Sequence, residues 1–150
     1  MNAPLPLPAN PGILRDDELE LLLDRFERHP VHRVPTYQFQ MVHCETRQQF
    51  GNLRLSIGST PHLKLYAGHI GYSVLAEHRG HHYAARSVQL IVPFAHRLEI
   101  DPLWITCDPE NTASRRTLEL VGAELIEIVE VPKNCIIHRN GHPRKCRYRL

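Results

Sequence analysis

The segment Ala76–Ser87, AEHRGHHYAARS, sets an Arg-Gly pair and two consecutive histidines between an apolar stretch of strand character and a helical pattern. A loop that leaves a strand and opens a helix is suited to holding an anion. The N–H groups of the first helical turn have no internal partners, and the helix dipole favours negative charge. Gly80 lets the backbone approach a ligand closely, and Arg79 adds a charge-assisted bond. Arg79, Gly80, His81, His82, Tyr83 and Ala84 therefore form a candidate phosphate cradle. The competing reading is a plain tight turn with His81 and His82 in solvent.

Upstream, LKLYAGHIGYSVL contains His69 as a titratable group, and no carboxylate occurs between Pro61 and Ala76. A histidine there is a candidate general base. The alternatives are a strand histidine satisfied by a backbone partner, or a water relay to a distant group such as Glu45. Near the C-terminus, Cys135, His138, His142 and Cys146 give a C-x2-H-x3-H-x3-C spacing, four plausible zinc ligands. Against this, RNGH reads as a hairpin turn with Asn140-Gly141 at its tip, and Cys and His at i, i+3 on one strand face opposite ways. The same region is basic, with Lys133, Arg139, Arg144, Lys145, Arg147 and Arg149. Such a run is either a solvated face or an attractor of RNA or an acidic substrate. Few aromatics interleave with it, which argues against a single-strand-binding platform.

The elements that must position these residues can be read along the chain. Leu19, Leu22, Leu23 and Phe26 predict a first helix, capped by Asp16 or Asp17 and stopped by Pro30. Three strands follow: TYQFQMVH with Tyr37, Phe39 and Met41 on one face, GNLRLSIG with Leu53, Leu55 and Ile57 on one face, and a longer strand from about Leu65 to Leu75. Val88, Ile91, Val92, Ala95 and Leu98 form the stripe of a helix that Pro93 should kink. PLWITC is a short strand, with Trp104 in the core. DPENTASRRTLELVGA is a helix begun at Asp108 or Asn111, with Leu118 and Val121 inward and Gly122 past its end. ELIEIVEV has apolar residues on both faces, which suits a strand covered on both sides with its glutamates near the ends or at a bulge. CRYRL closes the chain. This order implies a mixed α/β sheet with helices on both faces. The strand ending at Leu75 and the strand at Trp104 should be parallel neighbours joined by a right-handed crossover.

The 150 residues suit one domain, and 42% hydrophobic with 23% charged residues is ordinary globular composition. A net charge of +2 is too small to argue for nucleic acid. No apolar run reaches the roughly 20 residues of a membrane helix, and MNAPLPLPANPG lacks the features of a secretory signal. Residues 1–14 read as a Pro-rich extended or disordered arm, and 15–150 as the domain. Cys44, Cys107, Cys135 and Cys146 are few and irregularly spaced, as free thiols of a reducing, cytoplasmic setting would be.

Two segments together resemble a known family. YSVLAEHRGHHYAARS resembles the acetyl-CoA-binding signature of the GNAT N-acetyltransferases, V-x-P-x-x-[RQ]-G-x-G-x-[AG]. Val74, Arg79, Gly80 and Ala84 match it, while Ala76 replaces its proline and His82 its middle glycine. DPENTASRRTLELVGA resembles the second signature, an N-x-x-S helix ending in glycine, through Asn111, Ser114 and Gly122. The resemblance covers roughly Gly51 to Leu150 and is greatest to the branch with ribosomal-protein N-terminal acetyltransferases. It implies a GNAT fold, with a mostly antiparallel mixed sheet and a splayed parallel strand pair. It also implies acetyl-CoA as co-substrate and an amine acceptor.

In that frame Tyr72, Val74 and Leu75 would pair through their backbones with the pantetheine arm, and an N–H at or near Val74 would polarise the thioester carbonyl. The loop from Gly80 to Ala84 would hold the pyrophosphate, and Asn111 would bond the pantetheine. Many members carry a tyrosine in the second helix as proton donor. Leu118 stands there in this chain, and Ser114 is the nearest other donor, unless it merely bonds its own backbone. His69 would be the base. The missing motif residues support a rival, a GNAT-like CoA-binding domain without catalysis. A zinc- or RNA-binding module built on the basic C-terminal region is the third class. The acceptor is not readable from sequence, and the last two strands offer an edge for homodimer pairing.

Overall fold

The structure is a computed structural model that describes residues 4–150. Among the described residues, eight strands and three α-helices form a mixed α/β fold with two antiparallel sheets. The larger sheet has the order β1 (Leu14–Asp16), β2 (Leu19–Arg28), β3 (Pro35–His43), β4 (Gln49–Ser56) and β5 (Ile70–Val74). The smaller runs β6 (Trp104–Cys107), β8 (Arg144–Arg149), β7 (Glu124–Glu130). Helix α1 (Tyr83–Arg97) continues through Pro93, α2 (Thr112–Leu120) follows β6, and α3 (Ile136–Arg139) is a single turn. Among the described residues no helix is long and apolar enough to cross a membrane.

The expected first helix is instead the β1–β2 hairpin. LELLLDRF supports two periods, Leu19/Leu22/Leu23/Phe26 and Leu19/Leu21/Leu23. The second wins because β3 supplies a partner along the whole length, from Leu19 opposite His43 to Arg28 opposite Pro35. Tertiary pairing overrides local helical preference here. Leu19 and Leu21 enter the core, and a bulge at Asp24 lets the strand bend. Asp17 takes a left-handed conformation (φ 52°) in the two-residue turn. Residues 4–13 carry no helix or strand, and β1 begins at Leu14, the last residue of the expected arm. Leu14 is already buried in β1, the Ala9 N–H donates to the Tyr37 hydroxyl (2.8 Å), and Arg97 donates to the Pro11 carbonyl (3.1 Å). Residues 1–3 lie outside the described residues.

The strand expected from about Leu65 begins only at Ile70. Leu63–Ala67 forms one wide helical turn, closed by the Gly68 N–H on the Leu63 carbonyl (2.6 Å). Leu63 and Ala67 fall on one face of that turn and pack with Val34, Val131 and Ile137 in a small second core. At Gly68 (φ 75°) a side chain would meet the Thr106 N–H and Trp104 carbonyl of β6 at 3.0–3.1 Å, so only glycine lets the turn lie this close.

The main core joins Tyr37, Phe39, Leu53, Leu55 and Ile70 of the large sheet to Val88, Ile91, Phe94 and Ala95 of α1. Leu118 of α2 and Tyr148 of β8 belong to it as well. Strand β7 is not covered on both sides. It is an edge strand, and Leu125, Ile126 and Ile128 are exposed, with a bulge between Leu125 and Glu127. β7 and β8 are paired, but the link between them is α3 and its flanks rather than a tight turn at Asn140-Gly141. Asn140 has φ −83°, which a two-residue hairpin tip of that type does not allow.

Candidate active site

β5 and β6 touch at their starts, where the His69 N–H donates to the Trp104 carbonyl (2.6 Å). No ladder continues between them among the described residues, and they belong to different sheets. The hydrogen-bond phase of β5 follows from two bonds, Leu75 N–H to the Phe50 carbonyl and Ser56 N–H to the His69 carbonyl. Bonded pairs alternate in an antiparallel ladder, so Gly71, Ser73 and Leu75 spend their backbone groups on β4. Ile70, Tyr72 and Val74 turn theirs to the open edge. The backbone groups of Tyr72 and the Val74 N–H are thus available to an added ligand strand, while the Val74 carbonyl accepts from Arg79 Nε (3.4 Å). Leu75 differs from expectation: its N–H is used, and its side chain is exposed.

A cavity of about 420 Å³ opens beside that edge. Both signature segments line it, the loop through Arg79, Gly80, His82 and Ala84 and the α2 start through Asn111 and Ser114. Gly80 (φ 96°) and His82 (φ 58°) are both left-handed. No side chain caps α1, no acidic residue lies in its first turn, and among the described residues no protein acceptor takes the N–H groups of Gly80 to Ala85. The loop therefore keeps the shape of an anion cradle with a histidine in place of the family's second glycine. His81 and Tyr83 are not part of the lining. His81 stacks on Tyr83, and the buried Tyr83 ring lies parallel to Phe50 at 4.3 Å. Arg86 anchors the helix behind the loop through Asp16 (2.6 Å) and Glu18.

Asn111 caps α2, its side-chain oxygen accepting the Ser114 N–H at 3.1 Å, and its amide N–H₂ has no protein acceptor among the described residues. The Ser114 hydroxyl reaches across to β5 and meets the Tyr72 hydroxyl at 2.8 Å. Tyr72, which the sequence offers only for its backbone, thus also faces the cavity with its side chain. Its signal was the alternation Ile70, Tyr72, Val74, which puts it on the core-side face toward α2. Burial pushes the phenol up to about 12, while Ser114 pulls it the other way. Burial likewise pushes the neighbouring Cys107 thiol up to about 11. Both groups stay protonated at neutral pH. Leu118 is fully buried in the core.

His69 lies elsewhere. It is 3% exposed and lines a different cavity, with Gly58, Lys64 and Trp104. Its Nδ1 accepts the Trp104 N–H (2.9 Å), so Nε2 carries the proton and donates to the Gly58 carbonyl (3.0 Å). Burial also lowers its pKa. With both ring nitrogens engaged, His69 has no lone pair for an amine proton and is a structural residue of the β5–β6 junction.

The four spaced cysteines and histidines do not gather. Cys146 is buried opposite Cys107, Cys135 lies 3.9 Å from His62, and His142 bonds Asp108. Among the described residues no three potential ligands form a metal cluster. The basic run is not an open face either. Arg144, Arg147 and Arg149 pair with Glu110, Glu127 and Glu124, and Lys145 with Asp108. Trp104 is half-buried beneath the Arg147 guanidinium, 4.0 Å from its ring centre.

On the far side of Gly71 two adjoining cavities of about 290 and 390 Å³ share His29, Arg54 and Gly71, and the second meets the first site at Tyr72 and Ser73. His142 lines the smaller one. Its Nδ1 is 2.6 Å from Asp108 Oδ2, and its Nε2 has no protein partner among the described residues. Burial alone would raise Asp108, but Lys145 and His142 hold it below the ordinary carboxylate value.

The comparisons with known proteins agree with this geometry. The chain resembles an acetyltransferase of the GNAT family from Bacillus anthracis (21% identity, TM-score 0.60, 75% of this chain and 64% of that one). It also resembles the ribosomal-protein-S5-alanine acetyltransferase from Vibrio fischeri (19% identity, TM-score 0.60, 77% of this chain and 61% of that one). RimL, a ribosomal L7/L12 α-N-protein acetyltransferase, is similar over 96% of this chain and 98% of its own (14% identity, TM-score 0.65). At these identities the likeness is one of fold. The chain spans about three-fifths of the length of the first two structures. No curated protein matches the sequence. The model of the acetyltransferase (GNAT) domain matches residues 10–124. With both signature segments on one cavity beside an open strand edge, the chain belongs to the GNAT acetyltransferase family.

Proposed function

We propose that the protein transfers the acetyl group of acetyl-CoA to an amine of a small molecule or protein. The observation that carries this reading is the single cavity into which β5, the Arg79–Ala84 loop and the start of α2 converge. The loop N–H groups and Arg79 would hold the pyrophosphate. The Asn111 amide and the open edge at Tyr72 and Val74 would hold the pantetheine, with the Val74 N–H aimed at the thioester oxygen. The reading takes Tyr72, supported by Ser114, as proton donor to the departing thiolate.

The acceptor must lose a proton to attack. A lysine-like amine is only about 0.04% neutral at pH 7, which adds about 4.6 kcal/mol to the barrier unless a base helps. His142, held by Asp108 and bordering the smaller cavity beyond Gly71, is the base in this reading. Its Nε2 takes the ammonium proton. The amine nitrogen then bonds the acetyl carbon, the C–S bond breaks, and the sulfur receives the Tyr72 proton. The second proton of the amine nitrogen, acidic once the nitrogen is acylated, passes to the Tyr72–Ser114 hydroxyl pair and restores the phenol.

Titration of acetyl-CoA into the protein at pH 7.5, followed by thiol release with an amine panel, tests the proposal. Binding with acceptor-dependent release supports it. Binding without release from any amine would leave the non-catalytic rival, and no binding at millimolar ligand would remove acetyl-CoA from the site.

A further inference from the structure

Arg54 lies on β4 directly opposite Gly71 of β5 and borders both cavities on the acceptor side. A guanidinium has five N–H donors. Nη1 donates to Ser56 Oγ (3.0 Å) and the Gly68 carbonyl (3.1 Å), and Nη2 to the Ala67 carbonyl (2.8 Å). The Nε–H and the second Nη2–H have no protein acceptor among the described residues. These two donors form one edge of the fork, the edge that accepts a carboxylate or phosphate with two parallel bonds. Gly71 leaves that edge uncovered, since a side chain there would fall 2.7 Å from Nε and 3.2 Å from Nη2.

The charge balance is equally one-sided. Two other covered arginines are neutralised by carboxylates, Arg86 by Asp16 and Glu18 and Arg147 by Glu127, whereas Arg115 is held by the Tyr148 hydroxyl and the Pro109 carbonyl. Arg54 has no carboxylate partner among the described residues, and neither cavity is lined by Asp or Glu. Lys145, the other cation there, is already paired with Asp108. His29, His32 and His62 are kept neutral by burial and by Arg54 itself. A half-buried cation held by three protein oxygens and lacking a counter-ion is costly, and an incoming oxyanion offsets that cost. The smaller cavity, about 290 Å³, has room for about ten water-sized groups, which suits a small ligand.

We infer that the acceptor is a small amine that also carries an oxyanion, a carboxylate or a phosphate, docked on the free Nε–Nη2 edge of Arg54. The inference rests on the acetyl-transfer reading and names the acceptor class for that same site. Docking on Arg54 holds the amine on the far side of Gly71, next to Tyr72, where the two sides of the site meet.

The test compares matched acceptors in thiol-release kinetics on the wild-type protein: glycine with glycinamide, and phosphoethanolamine with ethanolamine. The anionic member of at least one pair should have a kcat/KM at least about 10-fold higher, as expected for a charge-assisted bidentate contact. Which pair responds distinguishes carboxylate from phosphate. Arg54→Gln should erase the preference and leave acetyl-CoA affinity unchanged. Neutral amines used as well as anionic ones would overturn the inference, and this comparison needs no variant to fold. If no acetyl transfer occurs at all, the function reading has failed, and the Arg54 site is then read by calorimetry with acetate and inorganic phosphate. Binding of either anion lost in Arg54→Gln and kept in Gly80→Trp supports the site. Binding lost only in Gly80→Trp, or absent throughout, overturns it.

Discussion

Tyr72 of β5 and Ser114 of α2 are 42 residues apart and meet hydroxyl to hydroxyl at 2.8 Å. The contact ties the first signature's strand to the second signature's helix, inside the cavity that both line. The helix position where family members often carry a donor tyrosine is Leu118, sealed in the core. In the proposed reaction the Tyr72 phenol, reaching the cavity from the strand, would serve as that donor instead. Tyr72→Phe should lower kcat by about 100-fold, the ordinary weight of a general acid, with acetyl-CoA affinity within about threefold. Ser114→Ala should cost about 10-fold, and the double variant little more than Tyr72→Phe alone, because the two hydroxyls act as a unit. A fully active Tyr72→Phe enzyme would place the donor elsewhere.

The His142–Asp108 pair makes a different prediction. If His142 removes the amine proton, its importance depends on how tightly the acceptor holds that proton. His142→Gln should lower kcat/KM by about 100-fold for an alkylamine but far less for an acceptor of low amine pKa, which is already neutral. Asp108→Asn should follow the same trend with a smaller loss, since it orients the ring without touching the acceptor. An equal loss for both acceptor types would mean that the pair only supports the fold.

His82 occupies a left-handed position (φ 58°) where the family's motif has glycine. Histidine is tolerated there at a cost of about 1 kcal/mol. His82→Gly should therefore leave stability within about 1 kcal/mol and preserve or tighten acetyl-CoA binding, measured by calorimetry. A loss of 10-fold or more would assign the ring itself to the ligand. Gly80 (φ 96°) has open space around its missing side chain. Gly80→Ala should thus act through backbone strain alone, lowering both stability and affinity, whereas Gly80→Trp should also block the ligand's approach.

How far the sequence was legible follows the range of the interactions. The loop at Arg79–Ala84 and the Asn111 cap are local, and their residue types specify them within a few positions. The strands at Tyr37–Met41 and Leu53–Leu55 show plain alternation. LELLLDRF does not decide between two periods, and the answer lies in its partner strand, which no local reading contains. His69 looks like a free titratable group until Gly58 and Trp104, 11 and 35 residues away, take both nitrogens. The side chains of Tyr72 and Arg54 acquire meaning only at long range for the same reason: one from Ser114, and the other from two cavities lined by no carboxylate among the described residues.

The histidines around Arg54 should make stability depend on pH. Burial first, then Arg54, His29, His62 and Lys145, push His32 down to about 3 in the folded protein. Its ring bonds that of His62 at 2.9 Å, and burial and Arg54 also lower the pKa of His62 and His29. In the unfolded chain these groups protonate near pH 6.5. Between about pH 6.5 and 3 the unfolded state thus binds more protons, and linkage requires stability to fall as pH falls. The stabilisation is fully present above pH 6.5. His32 is partly exposed, so the loss from pH 7 to pH 5 is discounted to about 1 kcal/mol, or about 2–4 °C in Tm. His32→Gln keeps a polar partner for His62 but cannot titrate. Its Tm should change less than that of the wild type between pH 7 and pH 5, and parallel curves would show that other groups set the acid limit.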